Sequence, residues 1–438
     1  MKTREDRRHN VGNSDQRDAF QKDRDRIAYS SAFHRLAGIT QVVRADEEDI
    51  FHTRQQHSFK VAQVGRRLAQ KIFQDTDKSR IPTLENNLHV EVVEAACLAH
   101  DLGHPPFGHA AEKVLNDKLT TDHDNPDGFE GNAQTFRVLT KLSVRFDSED
   151  CDGLDLTRAT LNACLKYPWK RDLSDPKKKT KWCAYASEME DFCFARGLTP
   201  EGSEAKSLEA QIMDWADDIA YSVHDLEDFH RCGVIPWQRV LYEQHERQHI
   251  LDCAKEAWFE APADAEDRLS DAFKNLEYGV FALYKKLIST QYQGSRSQRQ
   301  ELRSMTSQLV SVLVRSTTIC WEDEGPRLDI EPFAQDWVRV LKQITRDYII
   351  SNPSLAAQQR GQTRIINSLF DEIFQEYRPG HVPAFLPIRM RYLDDHSESN
   401  RARFAADCIC ALTEREATEL YARIFGTSSG SVLNPIVR

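Results

Sequence analysis

Apolar residues recur through most of this chain at the three-to-four-residue interval of helices with one buried face. Between Arg24 and Val43 they fall at Ile27, Ala28, Phe33 and Leu36, and the segment ends in Thr40, Gln41 and Val42. From His57 onward, Val61, Val64, Leu68 and Ile72 lie at i+4, i+7, i+11 and i+15, which predicts one long helix with His57 at the head of its inward stripe. Val92, Val93, Ala95, Ala96, Leu98 and Ala99 make an apolar helical run, so this helix is expected to be buried rather than laid on the surface. Leu208, Ile212, Trp215, Ile219, Val223 and Leu226 form a further stripe, and beyond residue 237 helical segments alternate with polar, Pro- or Gly-containing breaks. Residues 1–18 have almost nothing to bury and read as a flexible tail. The pattern predicts an all-α protein, with a helical core over 19–235 and a C-terminal helical lobe over 236–438.

Composition narrows the class. The chain has 438 residues, more than a single core usually holds, and 18 glycines where a usual composition gives about 30. A net charge of −11 opposes a general nucleic-acid or membrane-surface binder, since those carry a basic excess. An anionic small substrate then requires a local cluster of Arg and Lys. The ten cysteines contain no C-x-x-C pair, and no apolar run reaches the ~18 residues of a membrane span. The expectation is a cytoplasmic protein with reduced thiols.

The chemistry concentrates where the buried run 92–99 ends. His100, Asp101, His104, His109 and Glu112 follow within thirteen residues, interrupted by Gly103, Pro105, Pro106 and Gly108, which stop the helix and stiffen a loop. A lone His-Asp pair at a helix end is usually a cap. Ionisable groups this dense beside an apolar helix need partners or a metal, because burying them bare is costly. On the 207–229 segment, Asp217, Tyr221 and Asp225 share a face at i, i+4 and i+8, and a cation would relieve the repulsion of the two acids. His57, His100, Asp101 and an acid of this helix together predict one centre of nitrogen and oxygen ligands. Such a centre suits a divalent ion such as Mn2+, Mg2+ or Fe2+ and the metal-assisted hydrolysis of a phosphoester.

The order His57, His100-Asp101 and a distant Asp is the HD-domain signature. The strings RDRIAYSSAFHRLAGITQV, HDLGHPPFGHAAE, GFEGNAQTFRVLTKL, LTRATLNACLKYPW and DWADDIAYSVHDLED, in that order over residues 24–229, resemble the deoxynucleoside triphosphate triphosphohydrolases of the bacterial dGTPase type. The resemblance implies an HD-domain helical core and an enzyme that hydrolyses a dNTP, a dGTP-like preference being one option within the family, to deoxynucleoside and inorganic triphosphate. It implies His57, His100, Asp101 and Asp217 as metal ligands. Asp218 competes with Asp217, but only Asp217 is followed by a tyrosine at i+4 and an aspartate at i+8, as in the family.

By the same resemblance, Tyr221 and Val42 would press on the sugar and exclude a 2′-hydroxyl, while Asp225 and Gln41 would hold the 3′-hydroxyl. Arg54, Asn132, Lys166, Tyr167 and Lys181 would hold the triphosphate. His109 and Glu112 would be the catalytic pair, with His109 protonating the leaving 5′ oxygen and His104 lining the phosphate pocket. The chain departs from the family at His34, where an arginine is common, and in the late string ALTER, which leaves Arg403 and Arg415 weakly matched to phosphate ligands. The family also implies a homo-oligomer, often a hexamer, and a regulatory nucleotide or single-stranded DNA as partner. The competing readings are an HD phosphohydrolase for another nucleotide and a silent module that binds nucleotide or single-stranded nucleic acid.

Overall fold

The computed structural model describes residues 2–11, 15–41, 52–123, 125–145, 151–323, 325–350, 353–397 and 400–426. Among them helices dominate, and the fold is all-α apart from one two-stranded hairpin. Val42 and the acidic run that follows it lie outside the described residues.

Three helices build the centre. Arg54–Asp75 starts at a reciprocal cap in which Gln56 N donates to Thr53 Oγ1 and Thr53 N donates to Gln56 Oε1. The cap fixes Arg54 and His57 in the first turn, both turned inward. Val90–Ala99 buries Val92, Val93 and every residue from Ala95 to Ala99, while Glu91 and Glu94 pair with Arg66 at its edge. Leu208–Arg231, capped by Ser207, packs against both of the others and buries Ile212, Trp215, Ile219, Val223 and Leu226. The three approach closely because residue 65 is glycine: a Cβ there would sit 2.6 Å from Cys97 Sγ. Truncating fully buried Ile219 to alanine is expected to cost about 2–5 kcal/mol.

The loop after Ala99 is held from two sides. Gly103 abuts the Gly131–Arg137 helix so tightly that a Cβ would lie 2.1 Å from the Thr135 amide nitrogen. Phe107 adopts a left-handed φ of +69°, a conformation costing of order 1–3 kcal/mol for a non-glycine residue. Its amide donates to Glu414 Oε1 at 3.2 Å, so the far end of the chain helps to hold the loop in that shape.

One apolar core runs from Phe20 to Leu420 and joins both halves of the chain. The Pro332–Ile350 helix packs on Leu208–Arg231, and Pro353–Glu376 packs on His109–Asp117. The C-terminal half thereby faces the loop and the central helix.

Several expectations are corrected. The N-terminal segment is not a free tail: Arg7 Nη1 pairs with buried Asp23 at 2.7 Å, Arg4 pairs with buried Glu209, and Ala159 N donates to Arg4 O at 3.0 Å. Glu209 and Ala159 lie more than a hundred residues from Arg4, so no local pattern reveals those contacts. The helical run after 237 is interrupted by an antiparallel hairpin, Thr317–Glu322 with Gly325–Ile330, fastened to the central helix by Trp215 Nε1 donating to Thr317 Oγ1 at 3.0 Å. A short helix, Ile81–Glu85, precedes the second central helix, and the Gly131–Arg137 helix is capped by the Glu130 carboxylate.

Candidate active site

His57, His100, Asp101 and Asp217 converge at the floor of a cleft of about 930 Å³. His57 Nε2 lies 3.0 Å from Asp217 Oδ1, and His100 Nε2 lies 3.6 Å from the same oxygen and 3.5 Å from Asp101 Oδ1. His100 Nδ1 donates to the Cys97 carbonyl at 2.7 Å, which fixes the tautomer and leaves the Nε2 lone pair aimed at the carboxylates. That Nε2 is buried without a hydrogen-bond partner. An orphaned imidazole nitrogen facing two carboxylates fits a divalent cation, and so does the ligand set of two imidazoles and two carboxylates.

The electrostatics follow from burial and charge. Burial alone would raise the Asp101 carboxyl, yet His100, the Arg54 guanidinium and His104 hold it well below the usual carboxylate range. Arg54 Nη1 donates to Asp101 Oδ2 at 2.8 Å, and His104 Nδ1 lies 3.1 Å from Asp101 Oδ1. Burial likewise opposes ionisation of Asp217, but Lys166 and His100 keep it ionised far below its ordinary range. Burial pushes His57 down, and burial together with Arg54 pushes His104 down to about 3, so both rings stay neutral and keep a lone pair.

The rival acid faces elsewhere. Asp218 Oδ1 accepts from Lys342 Nζ at 2.5 Å, on the side of the cleft formed by the Pro332–Ile350 helix. Only Asp217 points into the His57 and His100 pair.

His109 stands at the rim, with 77 % of its side chain exposed, and its Nδ1 lies 2.5 Å from Glu112 Oε2. Glu112 Oε1 accepts from the Gly131 amide at 2.9 Å, so the carboxylate is oriented by backbone on one side and imidazole on the other. Burial would raise Glu112, but His104 and His109 pull it well below its usual range. The His104 and His109 rings are 5.7 Å apart, which links the floor to the rim.

The remaining expected residues divide. Gln41, Arg54, Asn132, Lys166, Tyr167, Lys181 and Tyr221 all line the cleft. Asn132 Nδ2 and Lys181 Nζ donate to one buried acceptor, Glu130 Oε1, at 2.9 and 2.8 Å. Asp225, one turn beyond Tyr221, is buried but is not part of the lining, and its Oδ2 has no partner; Gln41 Oε1 is likewise buried and unpartnered. Burial and nearby Asp228 push the Asp225 carboxyl well above its usual range. His34 is exposed, while adjacent Arg35 donates to the Leu102 and His104 carbonyls at 2.8 Å each and supports the loop. Arg403 is buried over the Tyr185 ring and donates to Gly128 O, and Arg415 is exposed and paired with Glu419, so neither lines the cleft.

Sequence reasoning missed the wall opposite the central helix. Arg339, Lys342, Gln343 and Arg346 on Pro332–Ile350 line the cleft, with Trp258 beneath the Arg339 guanidinium at 3.8 Å. Three cations at i, i+3 and i+7 in an otherwise acidic chain were the available signal. Glu414 was missed too: it lines the cleft and accepts from Thr40 N and Oγ1 as well as from Phe107 N.

Comparison with known proteins follows the same geography. A model of the HD domain matches residues 54–222, the span holding the whole quartet, and a model of the phosphohydrolase-associated domain matches 328–423, which includes the missed wall. A deoxyguanosinetriphosphate triphosphohydrolase-like protein of Bifidobacterium longum is 33 % identical over 93 % of this chain and 83 % of its own length. Proteins of the same name from Streptomyces coelicolor and Vibrio vulnificus are 34 % and 29 % identical, over 94 % and 97 % of this chain and 93 % and 96 % of theirs. With a third of its positions shared along nearly its full length and the HD model laid over its central helices, the chain belongs to the HD-domain, deoxyguanosinetriphosphate triphosphohydrolase-like family.

Proposed function

We propose that this protein hydrolyses a deoxynucleoside triphosphate to deoxynucleoside and inorganic triphosphate. The observation that carries the reading is a single cleft with His57, His100, Asp101 and Asp217 at its floor, the His109 and Glu112 pair at its rim, and Arg54, Lys166, Lys181 and Lys342 in its lining. Its volume of about 930 Å³ lies in the range of small-molecule sites and accommodates a nucleotide. The four cations supply the local positive charge that a triphosphate needs in a chain of net charge −11.

His57, His100, Asp101 and Asp217 would hold one divalent cation of the Mn2+, Mg2+ or Fe2+ class. When bound, it supplies Lewis-acid charge to a phosphoryl oxygen and acidifies water. The chain's own residues do the rest. Lys166, Lys181, Asn132, Tyr167 and Arg54 position the triphosphate so that water attacks the α-phosphorus and the bond to the 5′ oxygen breaks. His109, with Nδ1 engaged by Glu112, presents Nε2 and delivers a proton to the departing 5′ oxygen. The buried carboxylate stabilises the imidazolium before transfer. Tyr221 and Gln41 favour a deoxyribose, and the unpartnered Oε1 of Gln41 is suited to a sugar hydroxyl, whereas Asp225 stands outside the lining and would need the cleft to adjust before it reached the sugar.

In this reading residues 19–235 carry the reaction, and the C-terminal half supplies the opposite wall and a surface for self-association. The test is product analysis: the purified chain is incubated with each dNTP and Mn2+ or Mg2+. Inorganic triphosphate and deoxynucleoside are expected. Orthophosphate or pyrophosphate as product assigns the chain to another phosphohydrolase chemistry, and binding without turnover assigns it to a binding module.

A further inference from the structure

On the helix Gln244–Glu256, whose Ala254 lines the cleft, His249 and Cys253 sit one turn apart, and Asp347 of Pro332–Ile350 faces them. One ligand atom from each of the three lies within 4.8 Å of the others. Cys253 Sγ is 3.8 Å from His249 Nε2. A tetrahedral ion with a sulfur at ~2.3 Å and a nitrogen at ~2.0 Å would hold the pair about 3.6 Å apart, so the existing spacing needs almost no adjustment. Asp347 spends Oδ1 on the Gln343 amide at 2.5 Å, while its Oδ2 is shielded from solvent and has no partner. Burial pushes the Asp347 carboxyl up against the opposing pull of Gln343, His249 and Arg346, and burial with the carboxylates of Asp347, Glu256 and Asp252 pushes the Cys253 thiol up. The bland alternative is a weak thiol-to-imidazole hydrogen bond at a helix surface, which leaves Oδ2 unexplained.

We propose that His249, Cys253 and Asp347 form a second metal site, selective for a thiophilic divalent cation of the zinc class, that clamps the Gln244–Glu256 helix to the Pro332–Ile350 helix. On binding, the Cys253 proton leaves to solvent and the thiolate, an imidazole nitrogen and Asp347 Oδ2 become the ligands, with water free to complete the shell. The chemistry differs from that of the cleft floor, which offers no thiolate. Both clamped helices contribute to one cleft wall, and Gln343, which holds Asp347 Oδ1, is itself part of that lining, so occupancy fixes the wall in place. The inference stands on these three side chains and does not depend on which nucleotide the cleft takes.

The test is a Co2+ titration of the full chain already loaded with Mn2+. Wild type is expected to take up one further Co2+ per chain with a near-ultraviolet thiolate-to-cobalt charge-transfer band. Cys253→Ser and His249→Ala are expected to abolish the band, Asp347→Asn to weaken Co2+ binding at least tenfold, and Asp217→Ala to retain it. With Mn2+ held at the cleft floor, added zinc is expected to raise the thermal unfolding midpoint of wild type well above that of Cys253→Ser, with Cys253→Ser turning over normally when no zinc is added. Absence of the band in wild type, its survival in Cys253→Ser, its loss in Asp217→Ala, or equal zinc shifts in wild type and Cys253→Ser would each overturn the assignment.

Discussion

Lys166 Nζ lies 2.8 Å from Asp217 Oδ2 and 2.9 Å from Asp214 Oδ1, so a lysine assigned by resemblance to the triphosphate rests first against an acid of the central quartet. Burial pushes this ammonium down, but Asp214 and Asp217 raise it well above its ordinary range and keep it charged. A fixed cation on Asp217 competes with a divalent ion for the same carboxylate, and under the proposed function it would turn from that carboxylate to the triphosphate. Lys166→Ala is therefore expected to act with opposite signs on the two ligands. Mn2+ should bind about tenfold tighter and the dNTP KM should rise about tenfold, each ~1.4 kcal/mol. Titration of free Mn2+ by electron paramagnetic resonance, with steady-state kinetics, checks both; weakened Mn2+ binding would contradict the competition.

Asp217 and Asp218 are adjacent but separately engaged, one with His57 and the other with Lys342. Asp217→Ala is expected to lose metal content and turnover together. Asp218→Ala should keep its metal, because it removes only a partly exposed pair worth about 0–1 kcal/mol. Metal analysis of the two purified variants distinguishes them, and full occupancy in Asp217→Ala would exclude that residue from the centre.

The rim pair predicts a separation of binding from chemistry. His109→Ala should lower kcat by roughly 10²–10⁴-fold, the usual contribution of a positioned acid, while Mn2+ and dNTP affinities change little. Glu112→Gln leaves the Gly131 amide an acceptor but removes the charge that would stabilise an imidazolium, so its loss should be smaller and pH-dependent. Unchanged turnover in His109→Ala would remove the proton-donor role.

Glu414 joins the two halves of the chain at the cleft. Its carboxylate accepts from Thr40 N at 2.9 Å, Thr40 Oγ1 at 2.7 Å and Phe107 N at 3.2 Å, so it orients both the segment leading to Gln41 and the strained turn before His109. Glu414→Ala would leave two backbone donors without their acceptor, at about 1–3 kcal/mol each if they stay buried. A fall of ten- to a hundredfold in kcat/KM is expected with metal content intact. Denaturant unfolding alongside kinetics checks whether the activity loss exceeds the stability loss.

How much of this was readable beforehand follows from the range of each interaction. The stripe from His57 to Ile72 and the one from Leu208 to Leu226 are local patterns, so the central helices and the inward direction of His57 were legible, whereas Asp217 was preferred to Asp218 only through the family resemblance. The cluster His100 to Glu112 was legible because its spacing spans a single loop. Periodicity tells which face a helix buries and not which helix receives it, so the wall of Arg339, Lys342 and Arg346 was invisible until packing placed it. Arg4 with Glu209 and Glu130 with Lys181 are ion pairs between distant or irregular segments, which no local pattern brings together. Thr317 to Glu322 is β-branched and aromatic at its start, but six residues between long helices are too few to outweigh the helical pattern around them.

A final expectation concerns acid. His230 is buried, and its Nδ1 accepts from Trp237 Nε1 at 3.0 Å, so the neutral ring carries its proton on Nε2, which has no partner. A second proton would have to enter at Nδ1, against the indole N–H, with the Trp237 and Tyr292 rings packed around it. Burial, with Arg231 nearby, accordingly lowers His230 to about 4. The folded pKa lies below the unfolded value of about 6.5, so the unfolded chain binds more protons between those limits, and stability falls as pH drops from about 6.5 toward 4. The full loss from this one group is roughly 3 kcal/mol, from a shift of about 2.5 units. His230→Phe keeps the ring packing and removes the titration. It is expected to lose about 1 kcal/mol at neutral pH through the indole hydrogen bond, yet to show a shallower decline in acid, so that the two stability curves cross at about pH 5.8. Urea unfolding between pH 4 and 7.5 measures both curves, and parallel curves would show that acid acts through other groups.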